Sequence, residues 1–208
     1  MRYLKDKYFV VSTLLGSLFL FLAIIINSYA VTYANRTASN SVTDIVLSNT
    51  QAYDVDGTFV YGAALLVLII ITLCLIRLER TPFILKSASL FVVIRSFFLS
   101  LTHISPFPMH AAIGTNIFTS LFPSIFMGDD LFFSGHAGLP FLLALIFWDD
   151  VLLRTIFLGF SVLFSIVVLL GHLHYSIDVA SAFFITFTIF VIAKKFFKKD
   201  WDLLNGTI

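Results

Sequence analysis

The chain has 208 residues, of which 59% are hydrophobic and 12% charged, with a formal net charge of +1. A soluble domain carries about 25% charged residues, so a surface this poor in charge excludes an ordinary globular protein in water. The single cysteine, Cys74, excludes an internal disulfide, and no Cys/His spacing of the zinc type or glycine-rich phosphate loop occurs.

Six apolar stretches follow in chain order, at about Tyr8–Tyr33, Thr58–Ile76, Phe83–His103, Leu131–Trp148, Leu152–Gly171 and Tyr175–Phe197. Each is long enough to cross a hydrocarbon core of about 30 Å as a helix. A closed barrel would need many alternating segments of about ten residues. The expected fold class is therefore all-α: a polytopic bundle of six transmembrane helices forming one membrane domain over residues 1–208. The first stretch is longer than a signal-peptide core of about 7–15 residues and is read as an uncleaved span.

Basic residues set the orientation. Arg2, Lys5 and Lys7 precede the first stretch; Arg77, Arg80 and Lys86 lie around the second turn; Arg154 follows the fourth stretch; Lys194, Lys195, Lys198 and Lys199 close the sixth. Six crossings put all of them on one side, so both termini are expected to be cytoplasmic. The loop Ala34–Gly57 and the segment Ile104–Asp130 fall on the extracytoplasmic side. Residues Ile104 to Gly128 contain no Lys, Arg, Asp or Glu and are broken by Pro106, Pro108 and Pro123. Such a segment is expected at the outer interface, as a short helix or a cover over a site.

The same counting gathers the costly residues at one depth. Ser134, Gly135 and His136 open the fourth stretch; His172 and His174 close the fifth; Asp178 opens the sixth; Arg95 lies in the outer half of the third. Ionisable groups near hydrocarbon default to a functional reading. His174 and Asp178 are four apart, one helical turn. A carboxylate on one ring nitrogen leaves the other unprotonated and nucleophilic. His136 is placed to protonate a leaving oxygen. Arg95 offers a planar fork for phosphate oxygens, and Ser134 with the backbone N–H groups that start the fourth helix offers further donors. This chemistry is phosphoryl transfer through a phosphohistidine-type intermediate, with neither metal nor cofactor expected.

These residues resemble the sphingomyelin synthase family, a branch of the type 2 phosphatidic acid phosphatase superfamily. The family's third motif (Cys-Gly-Asp, three residues, Ser-Gly-His-Thr) is similar to Gly128-Asp129-Asp130, three residues, Ser134-Gly135-His136-Ala137. Its fourth motif, His-Tyr-Ser/Thr-x-Asp-Val, is matched by His174-Tyr175-Ser176-Ile177-Asp178-Val179. Arg95 to Pro108 is similar to the second motif, with Lys86 where that motif begins with arginine. The resemblance covers roughly residues 80–195. It implies a bundle of the lipid phosphatase/phosphotransferase type. It implies a catalytic set of His136, His174 and Asp178, and a substrate-binding set of Arg95, Asp130, Ser134, Gly135, His172 and Tyr175.

The implied partners are membrane lipids: a phospholipid donor, with ceramide or diacylglycerol as an acceptor. No nucleic-acid partner is expected, and homo-oligomers are left open. A lipid alcohol as acceptor makes the protein a synthase; water makes it a phosphatidic acid phosphatase or a phospholipase C-like hydrolase. Two readings from other classes use the same residues: a proton-coupled transporter, which needs polar residues continuing through the membrane, and a non-catalytic membrane partner.

Overall fold

The computed structural model describes residues 3–114, 120 and 131–206. Its long elements are α1 (Lys7–Thr37), α2 (Asp56–Ile76), α3 (Thr81–Leu101), α4 (Gly135–Ile146), α5 (Val151–Leu170), α6 (Ser176–Phe196) and a short α7 (Lys198–Leu204). No strand occurs among the described residues. Five of these helices are long and apolar enough to cross a membrane. The fold is an all-helical bundle of the multi-pass membrane class.

The fourth expected crossing differs. Its helix starts at Gly135 rather than Leu131 and has 12 residues. At 1.5 Å per residue it is about 18 Å long, too short to cross alone. The cause lies in the backbone before it: Phe132 has a φ of 124°, and Ser134 is extended, capping the helix by accepting from Ala137 N through Oγ. From Ala137 to Ile146 most of α4 is buried. It packs against α3, α5 and α6, so it is a core helix walled by the longer spans.

α1 lies along α3. Its buried face is a stripe of small or short residues, including Ser12, Gly16, Ala23, Ala30 and Ala34, the composition that lets helix backbones approach in lipid. At Gly16 an added Cβ would stand 3.0 Å from Leu85 Cβ, so only glycine fits there without a shift.

Polar contacts define the two ends of the bundle. At one end Arg77 pairs with Asp150 at 3.5 Å, and Arg80 donates to the carbonyl of Ile146, the last residue of α4. Nearby, Lys86 Nζ donates to Asp200 Oδ2 at 2.7 Å and to Ser12 Oγ at 2.6 Å, and Tyr8 donates to Asp200 Oδ1 at 2.9 Å. The start of α1, the α2–α3 and α4–α5 turns and α7 therefore share one end. At the other end the interhelical segments are stitched together: Ser39 N donates to His103 O, Tyr53 N to Leu170 O, and Ala111 N to Gly171 O.

Residues 102–114 form no helix. They lie as a cover against the α5–α6 turn, with the Phe107 ring 5.2 Å from that of His172 and 6.2 Å from that of Tyr175.

Candidate active site

α5 ends at Leu170, and after five residues the chain enters α6 at Ser176. The turn is tight: His172 takes a φ of 55°, a left-handed conformation rare outside glycine. At Gly171 an added Cβ would strike Val55. This corner delivers His174 just ahead of α6 with its side chain enclosed.

Asp178 lies in the first turn of α6. Its Oδ2 accepts from His174 Nδ1 at 3.3 Å and from Tyr175 N at 3.1 Å. The second bond is half of a capping box and satisfies an orphan donor of the helix start. A carboxylate partner on Nδ1 favours the tautomer that carries the proton there. Nε2 of His174 is buried and has no hydrogen-bond partner among the described residues.

α4 is joined to this corner through its cap. Ser134 N donates to the backbone oxygen of Asp178 at 3.0 Å, bringing the first turns of α4 and α6 together. Arg95, 6% exposed, donates from Nε to Phe133 O at 3.2 Å. An added Cβ on Gly135 would stand 3.1 Å from that Nε. Glycine therefore admits the guanidinium to the N-terminal end of α4, where its charge adds to the positive end of the helix dipole. His136, in the same turn, packs its ring against Phe59 of α2 at 4.3 Å and Phe164 of α5 at 5.7 Å.

Arg95, Ser134, Gly135, His174 and Asp178 are thus linked by direct contacts, and His136 shares the α4 turn. Asp130, also expected at the site, lies outside the described residues.

Two expected substrate contacts have protein partners instead. The ring nitrogens of His172 face Thr50 Oγ1 at 3.2 Å and Met109 O at 2.8 Å, so this side chain ties two loops to the α5–α6 turn. The hydroxyl of Tyr175 donates to Ser105 O at 2.8 Å and accepts from Val42 N at 3.3 Å. Through these bonds both side chains tie loops to the corner. Lys86, aligned with the start of the second motif, lies in the Asp200 network at the opposite end of the bundle. It is nine residues, about 13 Å of helix rise, from Arg95.

One contributor is not singled out by the sequence. Asp44, in the α1–α2 loop, accepts from Ser176 N at 2.8 Å and Ser176 Oγ at 2.7 Å through Oδ2. Its Oδ1 accepts from Val46 N and Leu47 N. Burial pushes its carboxyl up, but the hydrogen bonds from Leu47, Ser176 and Val46 outweigh it and hold the group below its ordinary value of 3.8. The local Asp-x-x-x-Ser spacing to Ser48 signals a turn, yet nothing in it points to a partner 132 residues away.

No curated protein and no solved structure matches the chain. Residues 128–195 match the family model described as PAP2 superfamily C-terminal. The matched stretch runs from ahead of α4 nearly to the end of α6 and contains His136, His174 and Asp178, while Arg95 precedes it. Over this stretch, about a third of the chain, the protein is similar to the C-terminal part of the type 2 phosphatidic acid phosphatase superfamily, whose members are of the lipid phosphatase/phosphotransferase type.

Proposed function

We propose that the protein transfers a phosphoryl or phosphoalcohol group from a membrane phospholipid to a lipid alcohol, in the manner of a sphingomyelin synthase, or to water. The observation that carries this reading is the state of His174: Nδ1 is held by Asp178 while Nε2 is buried without a partner among the described residues. A buried nitrogen that accepts nothing has a lone pair available to an electrophile, and loss of hydration raises its reactivity.

In the first step Nε2 of His174 attacks phosphorus. The N–P bond forms as the P–O bond to the donor breaks, and the departing alkoxide takes a proton from protonated His136. Asp178 stabilises the cationic, phosphorylated imidazole. Arg95 and the N-terminal end of α4 supply positive potential for the phosphate oxygens. In the second step an acceptor hydroxyl gives its proton to His136 and its oxygen to phosphorus, and the N–P bond breaks. Ceramide or diacylglycerol as acceptor gives a synthase; water gives a phosphatidic acid phosphatase or phospholipase C-like hydrolase. The basic residues at the opposite end of the bundle favour an extracytoplasmic site with both termini cytoplasmic.

The test is to incubate purified protein with mixed phospholipids, ceramide and diacylglycerol and to identify products by mass spectrometry. Head-group exchange onto a lipid alcohol supports the synthase reading, and release of a free phosphate or phosphoalcohol supports the hydrolase. Wild-type protein that turns over no phospholipid would sink both.

A further inference from the structure

The first turn of α6 has more donors than Asp178 serves. A helix start leaves its first backbone N–H groups without intrahelical partners, and here two carboxylates divide them. Asp178 Oδ2 takes Tyr175 N, and Asp44 Oδ2 takes the next donor, Ser176 N, together with the Ser176 hydroxyl. Asp44 is itself fixed: it is 8% exposed and bonded to Val46 N and Leu47 N. The Leu47 side chain is buried in a cluster with Leu131 and Tyr175. The loop is therefore anchored independently of α6 and presents a rigid acceptor to it.

We propose that Asp44 is a positioning residue for the reaction, acting through Ser176 to hold His174 in the tautomer that leaves Nε2 free. The inference rests on the reading of His174 as nucleophile. With Ser176 N–H satisfied from outside, Asp178 is left to serve Tyr175 N and His174 Nδ1. The latter contact, at 3.3 Å, is longer than the usual 2.7–3.2 Å of an N–H···O bond, so a small displacement of the first turn breaks it. Which nitrogen of an imidazole carries the proton is decided by the partner of the other. An orphaned Ser176 N–H competes for the Asp178 carboxylate at the expense of His174.

The experiment compares wild type, Asp44→Asn and Ser176→Ala in detergent micelles after selective ¹⁵N labelling of histidine. Long-range ¹⁵N–¹H correlations report which ring nitrogen of His174 is protonated. Turnover is followed in vesicles of phosphatidylcholine, phosphatidic acid and ceramide. The expected result is Nδ1–H in wild type and a mixture of tautomers in Asp44→Asn, with kcat lower by about 10- to 100-fold, as when the outer partner of a metal-bound imidazole is lost, and KM little changed. If Asp44→Asn does not accumulate, Ser176→Ala, which loses the hydroxyl bond to Asp44 and keeps the backbone one, replaces it: the tautomer shifts in part, and Ser176→Thr restores it. An unchanged tautomer, or a shifted tautomer with unchanged kcat, overturns the proposal and reduces Asp44 to a loop anchor. Turnover surviving in His174→Ala would instead remove the nucleophile reading, and the ¹⁵N spectra would still decide what Asp44 does to the ring.

Discussion

Neutralising Asp178 removes two bonds at once, because one oxygen holds both the imidazole and the helix start. Asp178→Asn is expected to lower turnover by up to about 10⁴-fold, the loss met when the carboxylate orienting a histidine base is replaced in a serine protease. His174→Ala is expected to abolish turnover while the protein remains folded; wild-type rates in the purified variant would contradict the mechanism. Asp44 adds a prediction in pH. Its folded carboxyl titrates below the ordinary value of 3.8, so its stabilising contribution is complete above that range and is lost as pH falls through the lowered value. Asp44→Asn is expected to cost about 1–3 kcal/mol at neutral pH. The gap to wild type should close on acidification below about pH 4, as read by thermal unfolding in detergent at several pH values. The contact between His174 and Asp178 was legible in their spacing. The placement of Asp44 was not, because its link to Ser176 joins segments that no local pattern relates.

Among the elements, α4 shows most clearly where periodicity and length stop being informative. The run Leu131–Trp148 is apolar enough for a span, yet its first four residues form a bent, non-helical lead that brings Ser134 to Asp178. α4 with its lead still runs from the Asp178 end to the Arg80 end, but hydropathy registers burial in protein and burial in lipid alike, so it cannot tell that this passage is made inside the bundle by a short helix. Within α4, Gly138 sets the approach of three helices. An added Cβ would stand 2.8 Å from Thr186 Oγ1 of α6 and 2.9 Å from Phe91 Cε2 of α3. Gly138→Ala is therefore expected to destabilise the bundle by about 1–3 kcal/mol through overpacking. It should also lower kcat by pushing the start of α4 from α6. A variant with an unchanged melting temperature would show that Thr186 and Phe91 yield freely. The ends of α2, α3, α5 and α6 fall within two residues of those expected, since their caps and charges coincide with the edges of the apolar runs.

The whole molecule has the proposed reaction site at one end and a buried lock at the other. Lys86 and Asp200 form an ion pair with little exposure, joined by Ser12 and Tyr8. Removing one partner of a buried pair leaves an uncompensated charge and costs about 3–5 kcal/mol. Asp200→Ala is accordingly expected to lower the melting temperature strongly while leaving kcat per folded molecule near wild type, the lock being remote from Arg95. A parallel loss of kcat in the remaining folded protein would mean that the two ends are coupled. From the sequence, the shared end of Arg77, Lys86 and Lys199 could be counted off by charge, whereas the short helix carrying Asp200 back onto α1 and α3 could not. Its seven residues are too few for a periodic signal, and its docking rests on pairing with side chains from two distant helices.

Because a single carboxylate oxygen serves both as clasp for a helix and as rein on an imidazole, the proposed mechanism makes robustness and catalytic tuning inseparable at this corner. Any laboratory selection for a sturdier variant that relaxes or redirects that oxygen will sacrifice rate. Hardier descendants that keep full speed should carry their changes elsewhere, in the lipid-facing spans or the distal clamp.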